Sequence, residues 1–205
     1  MTPADDFQRV TASLALWHRY DPASKTELFS TAIDTAKGLL LVDPILLAQP
    51  AEIALLADRR IAGVAVTNDN HWRASIVFAT RFGVPVFGHA DSLSEKPSSF
   101  NSVSNGEKIL DDVHVIALDG AAPGEIALHS AAENGTFIMG DALINFEPYG
   151  FTFLPAKYCT NFREMRKSLR ALLEYKAERM LFAHGTPIVS NADGRLRRLL
   201  DGTRT

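Results

Sequence analysis

Apolar residues in this chain come mostly in short runs closed by glycine, proline or aspartate, a spacing that predicts strands more often than helices. Residues 28–33 and 38–42 are two such runs, and Thr35-Ala36-Lys37-Gly38 makes the turn expected between them. Pro50 sits where a helix can begin, and 51–58 carries apolar residues at helical spacing. A valine-rich strand at 63–66 runs into the polar stretch TNDNHWR. A helix is expected over 73–82, with Ala74, Val77, Phe78 and Phe82 apolar and Gly83 as its stop. Residues 84–87 form another short strand, followed by a Ser-, Asn-, Gly- and Pro-rich surface loop from 88 to 106.

The second half repeats this grammar. Strands are expected at 113–118, 125–129 and 136–139, then an aromatic-rich loop from 145 to 158. Asn161 caps a helix with Glu164 three residues on, a capping-box pattern that satisfies orphan amides, and that helix runs to about Tyr175. A strand at 179–183, a turn at AHGTP and a terminal helix over 193–200 complete the chain. Two strand-rich halves, each carrying helices, suggest two packed sheets with helices outside.

With 205 residues and equally globular character on both sides of the 88–106 loop, one domain over 1–205 is expected. Hydrophobic residues at 46% and charged residues at 22% exclude disorder, coiled coil and collagen. The formal net charge of −3 lacks the basic footprint of a nucleic-acid binder. Cys159 is the only cysteine, so no intramolecular disulfide is possible, which suits a reducing compartment. The opening MTPADDFQRV does not read as a signal peptide, and the most apolar window, 38–48, is short and broken by Asp43 and Pro44. A cytoplasmic protein with no membrane partner is expected.

Four places break the core pattern near strand ends: Asp43-Pro44, Thr67–Arg73, Pro123–Glu125 with Gly140-Asp141, and His184-Gly185. Strand ends collect on one rim of a sheet, where sites form. Trp17, His18, His89, His114, His129 and Cys159 read as packing or ordinary hydrogen-bonded residues. Asn145, Phe146, Tyr149, Phe151 and Phe153 either line a pocket over Asp141 or anchor their loop. No phosphate-cradling glycine loop and no nucleophile elbow is present.

Taken in order, LLVDP near 39–44, the Thr-led loop at 67–73, GAAPGE at 120–125, GDALI at 140–144 and FAHG at 182–185 resemble the metallo-β-lactamase superfamily over about residues 28–188. The resemblance implies an α/β fold, the αββα sandwich of that family, and two metal ions, often zinc, between the sheets. It also implies seven ligand positions. Against the family's Thr-His-x-His-x-Asp-His loop, Thr67 matches, but the ligand positions hold Asn68, Asn70, Trp72 and Arg73. The next ligand position falls on Ala121, and only Asp141 and His184 retain ligating chemistry.

Alanine and tryptophan offer zinc nothing, asparagine is a poor donor for it, and a guanidinium cannot ligate a cation. The leading expectation is therefore a hydrolase-like protein with a degenerate site, a pseudoenzyme or a binder of a small anionic ligand. It expects no cofactor, with Arg73 taking a metal's electrostatic place by pairing with Asp141. The alternative is a non-standard hydrolase using one divalent ion (zinc, iron or manganese) on Asp141, His184, His71 and Asp69, or a metal-free His184–Asp141 acid–base pair. If the loop keeps the family's extended path, Asn68 and Asn70 face the site while Asp69 and His71 face away.

Overall fold

The computed structural model describes residues 2–57, 59–92 and 97–202. Its first half is a seven-stranded sheet in sequential order: β1 (Gln8–Arg9), β2 (Leu14–Asp21), β3 (Thr26–Thr35), β4 (Gly38–Val42), β5 (Ile61–Ala65), β6 (Val86–Gly88) and β7 (Phe100–Ser102). The pairs from β1 to β4 are antiparallel, whereas β4, β5, β6 and β7 run parallel. Helix α1 (Gln49–Leu56) joins β4 to β5, and α2 (Ser75–Phe82) joins β5 to β6, the crossovers that parallel strands require. Pro50 lies in the first turn of α1, and Gly83 closes α2 in the left-handed conformation at φ 64°.

The second sheet has the order β14-β11-β10-β9-β8, built from β8 (Lys108–Ile109), β9 (Val113–Ala117), β10 (Ile126–Ser130), β11 (Thr136–Met139) and β14 (Arg179–Phe182). Between β11 and β14 stand a hairpin, β12 (Leu143–Phe146) with β13 (Gly150–Phe153), and helix α3 (Phe162–Ser168), continued by a 3-10 helix to Glu174. Helix α4 (Ala192–Asp201) follows β14.

Period-2 alternation within the strands sorts side chains into three apolar layers. Leu40 and Val42 of β4 point inward and join Val115, Ile126, Leu128 and Ile138 between the sheets. Their neighbours Leu39 and Leu41 point the other way, against Leu55 of α1 and Phe78 of α2. Phe137, Met139 and Phe182 on the outer face of the second sheet pack against Met165, Leu196 and Leu200 of α3 and α4. Four layers, helix–sheet–sheet–helix, result. Strands buried on both faces read as unbroken apolar runs, which is why β4 stood out in the sequence.

Four expectations change. The stretch 88–106, expected to be a surface loop, contains strand β7, which adds parallel to β6 at the end of the first sheet. The N-terminal strands β1 and β2 were missed, because β2 mixes buried Leu14–Trp17 with exposed polar residues beyond them. The aromatic loop expected at 145–158 is in large part a hairpin, since β12 starts at Leu143 and β13 ends at Phe153. Its Phe151 packs on Phe182 of β14, and Phe153 lies against Phe162 and under Arg166 of α3, so these rings anchor the hairpin to the second sheet and its helix. The capping box is half formed: Asn161 Oδ1 accepts the Glu164 N–H at 3.2 Å, while the Asn161 N–H donates to Gly120 O. Parts of two expectations, position 58 and the stretch 93–96 of the surface loop, lie outside the described residues. Among the described residues, no helix is long and apolar enough to cross a membrane.

Candidate functional site

The carboxyl ends of the parallel pairs β4–β5 and β11–β14 converge on one edge of the sandwich, and the N-terminal end of the antiparallel β10 reaches the same edge. This juxtaposition gathers Asp43, Thr67, Asn68, His71, Glu125, Asp141 and His184. Open α/β sheets present ligands at this end for the same topological reason.

Asp43 ends β4 in the left-handed region at φ 47°, which turns its carboxylate across to the loop after β5. Its Oδ1 accepts the Thr67 N–H at 2.8 Å, and its Oδ2 accepts the Thr67 hydroxyl at 2.6 Å. The loop then doubles back: the His71 N–H donates to Asn68 O, closing a tight turn. His71 therefore returns to the site with Asn68, whereas Asp69 and Asn70, at the tip, are exposed. The expectation that His71 faces away is thus corrected for His71 and holds in direction for Asp69. Face alternation applies to extended chain, and this segment is a turn.

Three donor atoms meet at the centre. His71 Nε2 lies 3.3 Å from Asp141 Oδ1 and 3.3 Å from His184 Nε2, and His184 Nε2 lies 3.5 Å from Asp141 Oδ1. Each is held from behind. His71 Nδ1 lies 3.1 Å from Asp43 Oδ2 and 2.8 Å from Thr67 Oγ1; His184 Nδ1 donates to Glu27 O at 3.0 Å; Asp141 Oδ2 accepts from Asn68 Nδ2 at 3.1 Å. Two glycines make room. A Cβ on Gly140 would sit 2.7 Å from Glu125 Oε1, and Gly185, at φ 117°, lies against the backbone of Asn145. Asn70 reaches the site only through its N–H, which donates to Asn68 Oδ1 at 2.9 Å.

Burial opposes protonation of His71, but Asp141 and Asp43 outweigh it and raise its pKa to about 9. His184 moves the other way, to about 4, through burial and the charge on His71. Burial also works against ionisation of Asp141, yet His71, His184 and Arg73 hold its carboxyl well below the usual range. Glu125 is pushed up to about 8 by burial and by Asp141. Asp69 is raised by the same two causes. His71 is thereby biased toward its protonated form and His184 toward its neutral form, and both Nε2 atoms face Asp141 Oδ1.

Arg73 is not the partner of Asp141. Its guanidinium donates to three backbone carbonyls, Phe29 O, Asp43 O at 3.0 Å and Ala183 O at 3.4 Å. The expected ion pair is replaced by a cation clamped among strand ends, because those carbonyls lie nearer than the carboxylate. Trp72 is partly buried and donates its indole N–H to Ser92 O, and Ala121 is fully buried. Asp43 and Glu125 stood out in the sequence only as breaks in the apolar pattern. No local signal showed that they would back His71 and Asn68, and the backbone oxygen of Glu27 leaves no trace in sequence at all.

The three donor atoms, 3.3–3.5 Å apart, are close enough to share one ion. Two imidazoles and a carboxylate are suitable chemistry for zinc, iron or manganese. Among the described residues, His71, Asp141 and His184 are the one cluster of three such side chains close enough to share an ion.

A family model described as metallo-beta-lactamase superfamily matches residues 9–203. Among curated proteins, nothing matches. Several solved structures are similar. A metallo-β-lactamase from Hirschia baltica is 14% identical, covering 98% of this chain and 97% of its own, with a TM-score of 0.74. FIM-1 from Pseudomonas aeruginosa, in a mono-zinc form, is 12% identical, covering 98% and 96%, with a TM-score of 0.75. A metallo-β-lactamase family protein from Thermus thermophilus is 19% identical, covering 94% and 78%, with a TM-score of 0.66. Together with the four-layer sandwich and the rim of strand ends, the match over nearly the whole length establishes that this chain belongs to the metallo-β-lactamase superfamily.

Proposed function

We propose that this protein is a metal-dependent hydrolase of non-standard type, with one divalent ion held by His71, Asp141 and His184. The observation that carries this reading is the triangle of donor atoms at 3.3, 3.3 and 3.5 Å, each backed by its own hydrogen bond. Such outer partners fix ligand orientation, and here they turn both imidazoles to present Nε2. Family membership favours zinc, and a related protein is described in a mono-zinc form.

When bound, such an ion polarises a substrate oxygen and makes a water molecule acidic enough to act as a nucleophile near neutral pH. The chain's own residues do the rest. Asp43 and Thr67 hold His71 at Nδ1, Glu27 O holds His184, and Asn68 leaves one oxygen of Asp141 facing the centre. The fixed charge of Arg73 adds to that of the ion, so a small anionic ligand is the class the loaded centre attracts. Arg73 acts through its field, since its donors are given to carbonyls.

A second reading, the metal-free degenerate pocket, is supported by the spacing itself, since His71, Asp141 and His184 lie at 3.3–3.5 Å, where they can satisfy one another without an ion. Elemental analysis of protein purified without chelator separates the two. One equivalent of zinc, iron or manganese is expected. Stripping it from protein at about 100 times its Kd removes about 2.7 kcal/mol, a fall in Tm of about 5–10 °C for a chain of this size. Protein that carries no metal and whose Tm ignores both chelator and added zinc overturns the proposal in favour of the degenerate pocket.

A further inference from the structure

One side chain at this centre does more than fill space. The Asn68 amide is oriented without ambiguity, because its Oδ1 accepts the Asn70 N–H at 2.9 Å. Its Nδ2 therefore points the other way, donating to Glu125 Oε2 at 2.7 Å and to Asp141 Oδ2 at 3.1 Å. The second oxygen of Glu125 is taken by the Ala142 N–H at 3.0 Å. Asn68 is fully buried and Glu125 nearly so. A neutral N–H donor group thus stands between the carboxyl groups of Glu125 and Asp141, in the place where paired acidic side chains would otherwise share a cation.

We propose that Asn68 is a positioning residue that makes Asp141 a one-oxygen ligand and closes the space between Asp141 and Glu125 to a second ion. This rests on the single-ion reading above. Asp141 has two oxygens, and the hydrogen bond to Oδ2 leaves Oδ1 alone facing His71 Nε2 and His184 Nε2. Without that bond the carboxylate is free to rotate, to chelate through both oxygens or to turn toward Glu125. Replacing the amide by a carboxylate would swap a donor for an acceptor and leave three acidic side chains around one buried point, an oxygen-rich set that favours a cation.

The test is a titration of metal-stripped protein with cobalt(II), followed by its visible spectrum, with bound metal counted by elemental analysis. Wild type is expected to take up one equivalent. Asn68→Ala should bind about 10–100-fold more weakly, the usual effect of losing a ligand's outer partner, with an altered spectrum. Asn68→Asp should take up a second equivalent. Two equivalents in wild type would overturn the inference even if neither variant folds. So would a folded variant that matches wild type in both affinity and stoichiometry. A wild type that binds no cobalt defeats the single-ion reading itself, which is a different result from either of these.

Discussion

Arg73→Met is the perturbation that best separates a clamp from an ion pair. The substitution keeps much of the side chain's bulk and removes donors from Phe29 O, Asp43 O and Ala183 O. Two of these carbonyls keep another donor: Asp43 O accepts the Ser30 hydroxyl at 2.8 Å, and Ala183 O accepts the Phe29 N–H at 3.0 Å. In an extended strand the carbonyl of Phe29 faces the same side as its N–H, toward β14 and Arg73, so it is the acceptor left exposed to loss. An unsatisfied buried acceptor costs about 1–3 kcal/mol, and weakening two charge-assisted bonds adds a comparable amount. The burial penalty of the guanidinium, which the variant no longer bears, opposes this. A net loss of about 2–4 kcal/mol follows, read as a fall in Tm of about 5–15 °C and a matching shift in urea midpoint. Arg73→Lys should recover only part, since a single ammonium nitrogen replaces donors spread over two guanidinium nitrogens. In chelator, a cycle with Asp141→Asn should give a coupling of only about 1 kcal/mol, the through-space attraction of two side chains that share no hydrogen bond. A neutral Arg73→Met, or a coupling of about 3 kcal/mol or more, would refute the clamp.

Two further outcomes are expected. Gly140→Ala places a methyl group 2.7 Å from Glu125 Oε1 and 2.8 Å from Thr67 Oγ1. Overpacking of this kind costs about 1–3 kcal/mol, and because those atoms brace the centre, zinc uptake should weaken along with Tm; unchanged melting and titration curves would contradict the packing. His129 supplies a pH effect away from the site. It is buried, donates from Nε2 to Lys176 O, and leaves Nδ1 without a partner, so burial lowers its pKa below the ordinary histidine value of 6.5. Below pH 6.5 the unfolded chain then binds a proton that the native state refuses, and stability falls as the pH drops toward the lowered native pKa. His129→Gln should flatten that part of the stability–pH curve measured by urea unfolding between about pH 6.5 and 5; an unaltered slope would place the acid sensitivity elsewhere.

Local signals in the sequence carried the framework. Alternation and run length located β4 and β11 with their observed bounds, Gly83 ended α2, and Asn161 opened α3, because burial period and caps depend on residues a few positions apart. The order of polar breaks pointed to strand ends that the fold brings together, Asp141 and His184 among them. What the chain could not declare was which way the 67–73 loop points its side chains. A hydrogen bond between Asn68 O and the His71 N–H makes the turn, and that turn gives the centre an imidazole that an extended reading assigns to solvent. Arg73 shows the same limit more sharply: the carbonyls that hold it lie 44, 30 and 110 residues away in sequence. The identity of each residue, and hence the chemistry available, is fixed along the chain. Whether two imidazoles and a carboxylate stand about 3.3 Å apart, and whether a guanidinium meets a carboxylate or a backbone oxygen, depends on how two sheets stack, because distances between remote segments exist only once the layers have packed.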